Sequence, residues 1–153
     1  MPSLVSPLPA SEAVLSQRTG IAAALVEREF ARRPELADRH GTIGPEKALP
    51  EVGHHLSFLA QALALNSQAV FVDYIAWVKV MLAQRNVLAS DLVFHLECLA
   101  EVLRERLPAE SGALAAGFVM AAVQAMPGMP EDFPTFLHEG APLSPLAHPY
   151  FQA

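Results

Sequence analysis

The chain of 153 residues has the length of one ordinary domain and can bury a core without disulfides or a structural metal. Its 52% apolar and 17% charged content lacks the compositional signature of disorder. A net charge of −6 with no basic cluster opposes nucleic-acid binding, which needs cations to neutralise phosphates.

Residues 1–10 hold three prolines, no Lys or Arg and no continuous apolar block, so a secretory signal is not expected there and the segment reads as extended or disordered. Ser11 is a candidate N-cap for an alanine-rich helix running to about Arg33, weakened at Gly20 and stopped by Pro34. A short turn or helix, Glu35 to His40, leads into a Gly41–Gly44 loop. Next, Leu49, Val52, Leu56, Leu59 and Leu63 recur at steps of three and four and draw one core-facing stripe down a helix.

Asn66 or Ser67 caps a following helix in which Phe71, Tyr74, Ile75, Val78, Met81 and Leu82 repeat that spacing until Asn86. Ser90 or Asp91 starts another, with Leu92, Leu96, Leu99 and Leu103 inward, Glu97, Glu101, Arg104 and Glu105 outward, and a stop at Pro108. Leu114, Phe118, Ala121 and Ala125 define a small-residue helix ended by Pro127, whose alanines and Gly117 would allow close helix approach. The rest, to Ala153, is proline-rich and is expected to pack as an extended tail. The domain reading is therefore an N-terminal segment 1–10, a helical domain 11–126 and a tail 127–153. Asp73, Lys79 and Arg85 interrupt the richest apolar segment at helical intervals, so no membrane span is expected. The single cysteine, Cys98, excludes an internal disulfide and fits a cytoplasmic setting.

The segment Gly44-Pro45-Glu46-Lys47-Ala48-Leu49-Pro50-Glu51-Val52-Gly53-His54-His55-Leu56, continued by Ala62-Leu63-Ala64 and Phe71-Val72-Asp73-Tyr74, resembles the chromophore region of phycobiliproteins. It is similar too to globins associated with bilin synthesis and to globin-like modules that precede cobalamin-binding domains in bacterial photoreceptors. The likeness covers roughly the middle half of the chain and is a pattern of spacing and residue type. It implies an all-α fold with globin-like, orthogonal packing of about six to seven helices, and a pocket for an open-chain tetrapyrrole such as biliverdin. Lys47 matches the family lysine, whereas Ala48 stands where the bilin-attaching cysteine would be and Pro50 where a propionate-pairing arginine would be. Glu51 falls on the aspartate that accepts from pyrrole nitrogens, and His54 and His55 on two aromatic positions. The implied binding is consequently noncovalent.

Glu51 and His55 stand at i and i+4 and share one helix face, where a carboxylate and an imidazole can meet one ligand; the plainer reading is a surface pair near a helix N-terminus. His54, turned away from His55, cannot face the same ligand, so one of the two is solvated. Tyr74 and Trp77, three apart, form either an aromatic wall or ordinary core. Arg39 and His40, just before the Gly-rich loop, can reach a pocket rim and pair with propionates, or belong to a polar loop; in the reading that the resemblance implies, Lys47 or Arg39 meets the propionates. Arg28, Arg32 and Arg33 read as a solvated helix face, and Cys98 as an inert packing thiol.

Haem is the lesser expectation. No histidine lies between Leu56 and Phe94, and His95 comes on the next helix, leaving His55 as the one candidate ligand. No metal is expected, because His54 and His55 lack the i,i+4 spacing that lets two rings share an ion. No nucleophile elbow, phosphate loop or zinc motif is present, so binding rather than catalysis is expected. The rival reading is a ligand-free interaction module, a homodimer through Leu114–Ala125 or the N-terminal segment.

Overall fold

The computed structural model describes residues 7–35 and 45–131, with side chains over 9–35 and 51–131. Within these residues six α-helices follow one another: α1 (Pro7–Ser16), α2 (Arg18–Arg32), α3 (Pro45–Ala64), α4 (Gln68–Ala83), α5 (Ala89–Arg106) and α6 (Ala109–Ala125), closed by a 3-10 turn at Met126–Gly128. The chain is all-α, and no strand occurs among the described residues.

The first helix starts earlier than its sequence suggests. Residues 7–10 are helical, with Pro7 at a position where its missing N–H costs nothing. Ser11 lies inside α1 instead of capping it: its buried hydroxyl donates to the Ala60 carbonyl at 2.8 Å and pins α1 to α3. The break falls at Gln17, not Gly20, although Gln17 still bonds both ways along the chain, to Ala13 and from Ile21. The expected turn at Glu35–His40 and the loop at Gly41–Gly44 lie outside the described residues past Glu35.

Two asparagines end helices by adopting the left-handed conformation that asparagine tolerates better than most residues. Asn66, φ 50°, closes α3, with Ser67 N–H reaching the Ala62 carbonyl at 3.0 Å. Asn86, φ 63°, closes α4, with Val87 N–H reaching the Leu82 carbonyl at 2.9 Å. Asn66 is thus a C-terminal device, and neither Ser67 nor the residue before α5, Leu88, makes a side-chain cap.

Val52, Leu56, Leu59 and Leu63 are all buried, as are Leu92, Leu96, Leu99 and Leu103 on α5. The central element is α6, which packs most extensively on α5 and also meets α4, α1 and α3. Its close approach is made at Gly112, where a Cβ would stand 2.8 Å from the Leu103 carbonyl; Gly117, the glycine singled out by sequence, faces open space. The stretch Ala109–Gly128 is long and apolar enough to cross a membrane by length and composition. Ala115, Ala116, Phe118, Val119 and Ala122 are nevertheless buried inside the bundle, which also uses up much of the apolar face considered for a dimer.

Arg28 and Arg32 of α2, and Arg33 directly after it, are more than a solvated face: Arg32 is exposed and the other two half-buried, but all three are ion-paired. Arg28 pairs with Glu105, Arg32 holds Glu101 through two bonds at 2.7 and 3.0 Å, and Arg33 reaches Asp91 at 3.4 Å while its guanidinium lies 4.0 Å over the Phe94 ring. These pairs stitch α2 to α5. At the other end of the described chain Met129 is buried and its carbonyl accepts from Lys79 Nζ at 3.3 Å, so the start of the tail packs on α4. The remainder of the tail lies outside the described residues.

Candidate functional site

Helices α2, α3, α4 and α5 surround a cavity of about 1020 Å³, at the upper end of the size of small-molecule pockets. Helical spacing explains what lines it. On α3, Glu51, His55 and Phe58 follow at steps of four and three; on α4, Val70, Tyr74, Trp77 and Met81 do the same; on α5, Asp91 and His95 are four apart. The stripe that faces the core and the stripe that faces the cavity are neighbouring faces of the same helices.

The inner wall is polar. His55 Nδ1 and the Tyr74 hydroxyl are 2.6 Å apart, joining α3 to α4. His95 Nδ1 pairs with the buried Glu29 carboxylate, joining α5 to α2. The two imidazoles meet edge to face, with ring centroids 5.4 Å apart and planes at 72°. Burial pushes His55 down to about 3, with electrostatic interaction with the neighbouring His95 and His54 rings adding in the same direction, so its ring is neutral at physiological pH. Burial, with the Glu51 charge adding to it, pushes the Tyr74 hydroxyl up to about 12, so it stays protonated. The pair is therefore uncharged, with one proton to share between two hydrogen-bonding atoms and one left to offer elsewhere.

The outer wall is aromatic. Phe58 stacks on Tyr74 with centroids 4.0 Å apart and planes within 10°, and Trp77 continues the row at 6.5 Å and 28°. Phe58 is 40% and Trp77 43% exposed, a large apolar area left at the cavity mouth. Carboxylates ring that mouth. Glu51 is more than half exposed and pairs with Arg85 at 3.4 Å, while Asp73 is exposed on α4.

Five of the residues proposed from sequence, Glu51, His54, His55, Tyr74 and Trp77, line this one cavity. They do not share one role. His55 is interior, whereas Glu51 and His54 are at the rim. The side chain of Lys47 and the whole of Arg39 and His40 lie outside the described residues. Sequence order had set His95 aside as coming one helix too late; helix packing brings it against His55. Glu29, Phe58 and Arg85 were missed altogether. Of these only Phe58 carried a local signal, standing three residues after His55 on the same helix face.

Cys98 is buried, with Arg32 Nη1 donating toward its sulfur at 3.7 Å. Burial, reinforced by the Glu29 charge, pushes the thiol up, which keeps it protonated and unreactive. Among the described residues no three His, Cys, Asp or Glu side chains converge on a point that could hold a metal ion. Compared with protein-family models, curated protein sequences and solved structures, the chain matches none of them significantly.

Proposed function

We propose that this chain is a globin-like, phycobiliprotein-like helical protein that binds an open-chain tetrapyrrole such as biliverdin without a covalent bond, to carry, protect or sense the pigment. The observation that carries this reading is the cavity of about 1020 Å³ lined by a stacked aromatic row and by an uncharged His55–Tyr74 pair, the two joined through the Tyr74 ring. A flat conjugated ligand gains dispersion and stacking against Phe58, Tyr74 and Trp77. Its pyrrole N–H groups need acceptors, and Glu51 and Asp73 at the mouth and the neutral His55 ring inside supply them within one cavity. Arg85 at the cavity is a cation for its propionates, and Lys47 or Arg39 is the further one that the resemblance implies. Attachment by a thioether has no support, since Ala48 offers no thiol and Cys98 is buried under Arg32.

Haem is less well supported. Imidazoles with centroids 5.4 Å apart in edge-to-face contact leave no gap for a porphyrin between them.

The test is a titration of the purified chain with biliverdin, followed by absorption. Binding should shift and sharpen the red-region band, and the Glu51→Ala, His55→Ala double variant should lose that change. An unaltered pigment spectrum, or the same shift in the double variant, would overturn the reading.

A further inference from the structure

We infer that His55 and His95 form a two-imidazole site for a single borderline transition-metal ion, Cu²⁺ or Zn²⁺, at the inner wall of the cavity. Three observations point there. Each ring has its Nδ1 engaged by an oxygen of a second residue, Tyr74 for His55 and Glu29 for His95. That is how outer groups orient histidine ligands and leave the other ring nitrogen for the metal. The Nε2 of His95 is buried and has no hydrogen-bond partner, a loss a folded protein rarely tolerates unless something occupies the position. Finally, the separation of the rings suits a shared ion: two imidazoles each about 2.1 Å from one tetrahedral centre have centroids on the order of 5 Å apart, against 5.4 Å here.

The choice of ion follows from the donors. Imidazole nitrogen favours copper, zinc and nickel over calcium and magnesium, which seek oxygen. The surrounding charge agrees. Glu29, Glu51, Asp73 and Asp91 line the same cavity and outnumber the two arginines that pair there, Arg85 with Glu51 and Arg33 with Asp91, so a cation is favoured. No third protein ligand converges among the described residues, so the ion keeps coordination positions open to water or to a donor atom of whatever fills the cavity. Tyr74 and Glu29 act as positioning residues. The inference is independent of the tetrapyrrole reading, because the ion is tested without pigment.

The experiment is a Cu²⁺ titration of the full chain, followed by calorimetry and by pulsed electron paramagnetic resonance, which counts coordinated imidazoles. One Cu²⁺ should bind with two imidazoles in its echo modulation. His55→Ala and His95→Ala should each weaken it at least tenfold, and Glu29→Gln, which loosens the orientation of His95 and removes one carboxylate charge from the cavity, should weaken it about 10- to 100-fold. Circular dichroism verifies that each variant is folded; if an alanine variant is not, the imidazole count on the unmodified chain and the Glu29→Gln titration decide. Absence of a stoichiometric site, fewer than two imidazoles, or equal binding by the His55→Ala, His95→Ala double variant would overturn the inference.

Discussion

The Tyr74 hydroxyl lies 2.6 Å from Nδ1 of His55, so that one hydrogen bond ties α4 to α3 where the two helices wall the cavity. The bond is local to neither helix, since nineteen residues separate its partners. It sits beside the aromatic row, and the Tyr74 ring belongs to both features.

Removing the hydroxyl alone separates these roles. Tyr74→Phe keeps the stacked ring but strands a polar atom of the buried His55. The expected loss is about 1–2 kcal/mol of stability, read by urea unfolding with an unchanged m-value. A second substitution, His55→Leu combined with Tyr74→Phe, should recover part of that loss by removing the stranded atom as well. No difference between Tyr74→Phe and the unmodified chain would show that the bond contributes nothing to the fold.

The buried imidazole also sets a pH dependence. His55 titrates at about 3 in the folded chain against 6.5 unfolded. Above about pH 6.5 both states are neutral and the difference has no effect. As the pH falls below that value the unfolded chain takes up a proton that the folded chain refuses, so stability is lost progressively between about 6.5 and 3. The slope for one group approaches about 1.4 kcal/mol per pH unit. Urea unfolding at pH 7.5, 6.5, 5.5 and 4.5 should show this decline, and the His55→Gln variant should show a shallower one over the same range.

The packing of α6 on α5 predicts opposite outcomes at two glycines of one helix. Gly112→Ala drives a Cβ to within 2.8 Å of the Leu103 carbonyl and 3.2 Å of the Arg104 Cα, both backbone atoms that cannot swing aside. It should cost about 1–3 kcal/mol. Gly117→Ala meets nothing within 4 Å and should stabilise the helix by roughly 0.5–1 kcal/mol. Thermal melts of the two variants should therefore move in opposite directions.

The exposed aromatics at the cavity mouth should matter for ligand more than for fold. Phe58→Ala and Trp77→Ala each remove a stacking partner worth about 0.5–1.5 kcal/mol, so biliverdin affinity should fall about threefold to tenfold while the melting temperature changes little. A variant that melts far lower, with pigment binding intact, would assign these rings to the core.

From α3 onward the sequence by itself determined the helices and their inward faces, whereas it ran α1 and α2 together as one helix from Ser11. Apolar residues at steps of three and four are a local property of the chain, and Leu56, Leu59 and Leu63, or Leu96, Leu99 and Leu103, declare their buried face without knowledge of any partner. It also placed Glu51 and His55 on one side of α3 and Tyr74 and Trp77 on one side of α4. It did not reveal that Ser11 would be an interior residue, because its hydroxyl is satisfied by Ala60, forty-nine positions away. Nor did it give the polar wall of the cavity: Glu29 and His95 are sixty-six residues apart, and only the packing of α2 against α5, held by the Arg28, Arg32 and Arg33 ion pairs, brings them together. Periodicity fixes which way a side chain points from its own helix, whereas the partner it finds depends on how whole helices dock, and that is settled by the summed burial of many side chains.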